Sequence, residues 1–124
     1  MSSLMRLAAL AILACGWGFA ESWSGALVDW RCFESEEHNV NPTDTLTNVD
    51  RDRNWETRFC TPRLKSKSFA FVGRDGQSLQ LDSEGNRKAA ELVQKAGKKD
   101  LFLVVINGER SGHKLMVDSI EASK

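Results

Sequence analysis

The apolar pattern of the chain begins with one strand and a long polar segment. Residues 23–32, WSGALVDWRC, place Ala26, Val28 and Trp30 on one face and the intervening residues on the other. This period of two predicts a β-strand. Residues 33–62 are rich in Asn, Asp, Thr and Glu and have no sustained apolar period. These residues predict a long acidic loop with a short helical turn near RNWETRF. A loop of this length is expected to be functional or held at its ends.

The rest of the chain has a more regular pattern. The pair Asp75-Gly76 is a strong signal for a tight hairpin between two apolar runs. An apolar stripe at helical spacing follows, which Ser83 or Asn86 can cap at its start and Gly97 can end. Strands are predicted over residues 67–73, 78–82, 100–108 and 113–122, and a helix over residues 83–97 with Ala89, Leu92, Val93 and Ala96 on its apolar face.

Five strands with one helix between the third and the fourth are the element order of an OB-fold, a small Greek-key barrel. The pattern therefore predicts a mainly β protein, an OB-like five-stranded barrel with a long loop after strand 1. A general α+β sandwich has the same elements and is the alternative. The length of 124 residues suits one domain, which we expect over residues 21–124.

Residues 1–20 have the features of a secretory signal peptide. A single positive charge at Arg6 precedes an apolar run over residues 7–14, and small residues stand at Gly18 and Ala20, where a signal peptidase cleaves. The run is too short for a stable transmembrane anchor, and no later run is long enough to cross a membrane. We therefore expect cleavage after Ala20 and export to the periplasm or the cell exterior.

Cys15 leaves a second mode of processing open. It ends the sequence ILAC, which resembles a bacterial lipobox except that Leu13 stands where that motif prefers Ala or Ser. Lipidation at Cys15 would make the protein a membrane-anchored envelope lipoprotein.

Cys32 and Cys60 are the cysteines that remain after cleavage. In an oxidising compartment, such an even pair is expected to form a disulfide. The bond would close a loop over residues 33–59, for which chain entropy gives roughly 3.5 kcal/mol of stabilisation. A nucleophilic Cys32 would instead need a base, and neither His38 nor His113 stands at a position that indicates one.

The net charge argues against general binding of polyanions. The chain has 17 basic and 17 acidic residues, and such a protein has no overall attraction to nucleic acid or anionic lipid. Nucleic acid is therefore not an expected partner. The charge is uneven, however, because acids concentrate in residues 33–56. The basic stretch that follows has no acid and could meet an acidic partner or a phosphate; it contains Arg58, Arg63, Lys65 and Lys67.

A partial metal-binding motif lies in the acidic segment. Asp50, Asp52 and Asn54 alternate as in the opening D-x-D-x-N of a calcium loop. Trp55 and Thr61 stand where that loop requires its turn glycine and its bidentate glutamate. The alternative is a solvated loop whose acids pair with neighbouring arginines, and no cofactor is expected.

Three aromatic residues are candidates for a binding surface. Phe69 and Phe71 share one face of the second strand and could stack on ligand rings, although the same spacing is typical of a core. Trp55, in a polar segment, could contact a sugar or a protein, or it could fold back on the barrel.

Several short segments together resemble a family of small exported bacterial proteins. They are WSGALVDWRC, a second cysteine before KSFAFVGRDGQSLQLD, and AGKKDLFLVVINGERSGHKLMVDSIE. The family is a domain of unknown function for which an OB-like fold is predicted. Its members share a Trp/Ser-Gly strand ending in D-x-x-C, a DG hairpin before an L-D strand, and a C-terminal V-x-S-I strand. The resemblance implies the fold and export, and it brings no catalytic residue.

These observations predict a monomeric, non-enzymatic binding or interaction module. Its ligand would be a protein or a small molecule, bound on the barrel face next to the loop between the cysteines. The catalytic alternative is a small secreted hydrolase, which needs two carboxylates in a cleft. Asp29 with Glu34 or Asp52 is the pairing that the chain offers.

Overall fold

The computed structural model describes residues 21–38 and 55–123. Cys15, Asp50, Asp52 and Asn54 lie outside the described residues, as does the predicted signal peptide. The strands are β1 (Glu21–Asp29), β2 (Phe69–Gly73), β3 (Ser78–Leu81), β4 (Phe102–Ser111) and β5 (Lys114–Ala122). The helices are α1 (Trp30–His38), α2 (residues 55–59) and α3 (Ser83–Ala96).

The five strands close into a barrel in the order β1-β2-β3-β5-β4, in which β4 pairs back with β1. Neighbouring strands are antiparallel except for β3 and β5, which run parallel because α3 and β4 lie between them in the chain. The structure thus confirms the predicted mainly β fold, a five-stranded barrel with a helix between the third and the fourth strand.

The barrel interior is filled by alternate residues of the strands. On β4, for example, Phe102, Val104 and Ile106 are buried while Leu103 is exposed, as the side-chain period of a strand requires. Helix α3 packs on this core, and its buried face includes Ala89 and Val93 of the predicted stripe.

The ends of α3 differ in part from the prediction. Asp82, rather than Ser83 or Asn86, caps the start, because its Oδ1 accepts the backbone N–H of Gly85. The same oxygen accepts the N–H of Val117 on β5, at 3.1 Å, so the cap also ties the helix to the barrel. The end of the helix is at Gly97, as predicted, where a positive φ of 79° suits glycine.

The largest difference from the sequence prediction is at the end of β1. The sequence predicted a strand over residues 23–32 followed by a loop over residues 33–62. This boundary is wrong, since β1 ends at Asp29 and α1 begins at Trp30. Asp29 causes the change, because its Oδ1 accepts the N–H of Cys32 at 3.1 Å and so caps the new helix. Trp30 consequently leaves the strand face that it was predicted to share with Ala26.

Helices α1 and α2 cover the outside of the barrel at β1 and β2. Outward residues of the two strands form a second core with Phe33 of α1 and with Cys60, which follows α2, and Trp30 and Cys32 pack at its edge. The disulfide between Cys32 and Cys60 is confirmed, with the two Cα atoms 5.4 Å apart. The strand residues of this core are Val28, Ala70 and Val72.

Candidate binding groove

A groove of about 500 Å³ lies on the outer surface of the barrel, next to α2. Its floor crosses three strands, because Ala26 of β1 is paired with Leu103 of β4 on one side and with Val72 of β2 on the other. The short side chain of Ala26 lies between two larger ones, so the floor is apolar and lowest at its centre. Thr57 of α2 forms one wall.

The rim of the groove is polar. It includes Ser24, Arg74, Asp75 and Ser123, of which Arg74 and Asp75 belong to the hairpin between β2 and β3. An Asp75 oxygen accepts the N–H of Gln77 at 3.0 Å, which holds the hairpin in its turn. The groove therefore combines a short apolar floor with a rim that offers hydrogen-bonding groups and both signs of charge.

A second depression, of about 560 Å³, lies on the other side of the same hairpin. Trp23, Phe71 and Leu79 supply its apolar part at the mouth of the barrel. The rings of Trp23 and Phe71 meet edge to face at 6.3 Å, and the indole N–H donates to the carbonyl of Gly108. Because Arg74 lines both depressions, a ligand of the groove could extend round the hairpin to the mouth.

The predicted aromatic surface divides between the core and the exterior. Phe69 and Phe71 are only 1% and 3% exposed, since both side chains point into the barrel; an exposed stacking face was therefore the wrong interpretation. Trp55 is 55% exposed and does not fold back on the barrel core. It stacks on Phe59 with the ring centres 4.7 Å apart, on the solvent side of α2.

The side chains considered for catalysis have structural partners or lie apart. Cys32 is in the disulfide, and His113 is exposed in the turn between β4 and β5. Asp29 accepts the N–H of Cys32 through Oδ1 and the hydroxyl of Ser66 through Oδ2, at 2.6 Å. Glu34 lies on the exposed side of α1. Oδ1 of Asp29 thus caps the backbone of α1, and Oδ2 holds the Ser66 side chain in place. The hydrolase hypothesis stays a prediction.

Within residues 21–38 and 55–123, no group of three metal-binding side chains lies together. In the same part of the chain, none of the helices combines the length and the apolar character that a bilayer span requires.

Sequence reasoning missed the groove itself. Leu103 stands inside a continuous apolar run that was predicted as a strand over residues 100–108, so nothing in the run marks it as exposed. The small residue Ala26 is visible in the sequence, but only strand register brings it opposite Leu103 and Val72.

Comparison of the chain with protein-family models, with curated proteins and with solved structures finds no match.

Proposed function

We propose that this protein is an exported, non-enzymatic binding module that holds its ligand in the groove across β4, β1 and β2. The observation that carries the proposal is the groove, whose size lies in the range of about 300–1,000 Å³ that is usual for ligand sites. The ligand would be a small amphipathic molecule or the side chains of a partner protein, with its apolar part on Ala26 and its polar part at Arg74.

The barrel topology supports an OB-like fold for the module. The parallel contact of β3 with β5, and the position of α3 between β3 and β4, fit a Greek-key barrel of this class. OB-folds bind mainly through the face of strands 2 and 3 and the loops beside it, and the groove borders that face at β2 and the β2–β3 hairpin.

The disulfide supports an oxidising compartment, because such bonds are rare in proteins that stay in a reducing one. Export by cleavage after Ala20 therefore remains our proposal, and lipidation at Cys15 is the alternative. The resemblance to the family of exported proteins of unknown function agrees with both and stays a prediction.

Site-specific photo-crosslinking tests the groove. A photoreactive amino acid is placed at Leu103, which is 40% exposed in the groove, or at Met116, which is 43% exposed on β5 outside it. We expect a discrete adduct in producing cells from position 103 and not from position 116. The side chain at position 26 points away from the barrel core and into the groove. Ala26→Phe should therefore fill the groove floor and abolish the adduct.

The two positions are matched in exposure, and this makes the result decisive. Equal adducts from positions 103 and 116 would show contact by collision alone. An adduct at position 103 that survives Ala26→Phe in a folded protein would place the partner elsewhere. Either result rejects the groove as the ligand site.

A further inference from the structure

The outer face of α2 carries large apolar side chains and a positive charge in solvent. Trp55, Arg58 and Phe59 share this face at helical spacing, and the two aromatic residues are 55% and 48% exposed. The opposite face is buried against the barrel through Thr57 and Cys60. A surface helix normally buries its apolar side and exposes its polar side. Packing within the fold therefore does not explain why Trp55 and Phe59 are exposed.

The turn after α2 also places an exposed apolar side chain beside basic ones. Leu64 is 54% exposed at its tip, between the exposed residues Arg63 and Lys65. The turn is held closed, since the N–H of Ser66 donates to the carbonyl of Arg63 and the N–H of Arg63 donates to the Ser66 hydroxyl. That hydroxyl in turn donates to Asp29. Leu64 is thus presented to solvent by a pinned turn.

Further basic residues are brought to the same region by two long-range hydrogen bonds. The hydroxyl of Thr61 donates to the carbonyl of Lys99 at 2.8 Å, and the side-chain amide of Gln94 donates to the carbonyl of Leu64 at 2.7 Å. The segment after α2 therefore lies against the end of α3 and the exposed Lys98 and Lys99.

The described segment over residues 57–68 carries a local positive charge. Between residues 57 and 68 the chain has four basic residues and no acid. The salt bridges seen in the described residues join Arg87 to Glu84 and Glu91 on α3 and involve none of these bases. A charge cluster acts over about 8 Å at physiological ionic strength, so the near-zero net charge of the whole chain does not cancel it at short range.

We propose that this aromatic–basic surface binds an anionic lipid bilayer. Aromatic and aliphatic side chains enter the interface between headgroups and acyl chains, and neighbouring Lys and Arg bind anionic headgroups. The surface consists of Trp55, Arg58, Phe59, Arg63, Leu64 and Lys65.

The geometry favours a bilayer over a nucleic acid or another soluble polyanion. Trp55 and Phe59 are nearly parallel, at 11°, and each covers one face of the other. The stacking closes one face of each ring, which leaves less open ring surface for stacked bases. Leu64, an aliphatic side chain, also suits an acyl interface better than a base or a phosphate.

Vesicle binding by the full chain tests this proposal. Binding is measured on vesicles of phosphatidylcholine with phosphatidylglycerol and on vesicles of phosphatidylcholine alone. The variants are Trp55→Ser/Phe59→Ser, Arg63→Gln/Lys65→Gln, and, as a matched control on β5, Lys114→Gln/Met116→Ser. All share residues 1–20, so that differences between them report the altered surface.

We expect binding to the anionic vesicles, lost at high salt. Removing Arg63 and Lys65 should weaken it about 25-fold, on the basis of about fivefold for each basic residue near the membrane. Removing the two aromatic side chains should weaken it roughly tenfold or more, and the control variant should bind like the wild type.

Trp55 supplies a local measurement. The difference in fluorescence between the wild type and Trp55→Phe reports this indole alone, and we expect it to shift to shorter wavelength only with anionic vesicles. An unchanged difference spectrum while the protein is on vesicles overturns the proposal, as does equal binding by all variants. Binding to heparin or to a single-stranded oligonucleotide that depends on Arg63 and Lys65, without vesicle binding, assigns the surface to a soluble polyanion instead.

This test is independent of the proposed ligand groove. The groove is probed at Leu103 and Ala26, whereas the vesicle experiment changes side chains on the opposite face of α2. Failure of one proposal leaves the other standing.

Discussion

Replacing Asp29 by alanine removes the carboxylate at the junction of barrel and helices. Its Oδ1 caps α1 by accepting the N–H of Cys32, and its Oδ2 accepts the hydroxyl of Ser66. Its backbone N–H donates to the carbonyl of Cys60 at 2.8 Å and does not depend on the side chain. The substitution therefore deletes two contacts while it leaves the backbone link to the disulfide in place.

The expected loss of stability follows from these two contacts. A lost N-cap costs about 1 kcal/mol. Ser66 is 8% exposed, so its hydroxyl is left without its charged acceptor in a buried site, which costs about 1.5–3 kcal/mol. Together we expect Asp29→Ala to lower the free energy of unfolding by about 2.5–4 kcal/mol. Asp29→Asn keeps an acceptor for Cys32 and should cost less.

Urea unfolding of the disulfide-bonded protein, followed by circular dichroism, measures the effect. Asp75→Ala is the control, because Asp75 is exposed and its recorded side-chain hydrogen bond is to the N–H of Gln77, so we expect a loss below about 1 kcal/mol. If Asp29→Ala is no more destabilising than Asp75→Ala, the structural role given to this carboxylate is wrong.

Two further predictions concern the disulfide and the helix surface. Replacing Cys32 and Cys60 by alanine should lower the free energy of unfolding by about 3.5 kcal/mol in urea titrations, and unchanged stability would contradict the constraint that we assign to the bond. The Arg87 guanidinium, through a hydrogen bond and its charge, lowers the pKa of Glu84 below its ordinary value of 4.5. The resulting contribution to stability is present above the unfolded pKa and is lost as pH falls through the folded pKa, and it is small because the pair is exposed. In an NMR titration, Arg87→Ala should return the pKa of Glu84 towards 4.5, and an unmoved pKa would show that the pair is not formed in solution.

Local signals in the chain were sufficient for most of the barrel. Asp75-Gly76 predicted the hairpin, in which Gly76 has the positive φ of 82° that glycine tolerates best. Ala89 and Val93 predicted the face of α3 that packs on the core. These features are set by neighbouring residues, since a turn, a helical stripe and a strand period each need only a few positions.

The pairing of Cys32 with Cys60 was also predicted without a fold. It needed only the number of cysteines expected in the exported chain and the compartment, because no other partner remained for either thiol. The segment between them was predicted less well. The alternation of residues 23–32 continues past Asp29, and the helix that follows depends on the cap and on the second core beneath Phe33.

The sequence by itself determined the order of the five strands and α3, the disulfide and the barrel, because each rests on local periodicity or on counting. Only the tertiary structure decided which apolar strand residues are buried and which are exposed to solvent. Phe71 and Leu103 are both large apolar strand residues, yet one fills the barrel and the other lines the groove. The difference arises from strand register and closure, and these depend on contacts between residues far apart in the chain.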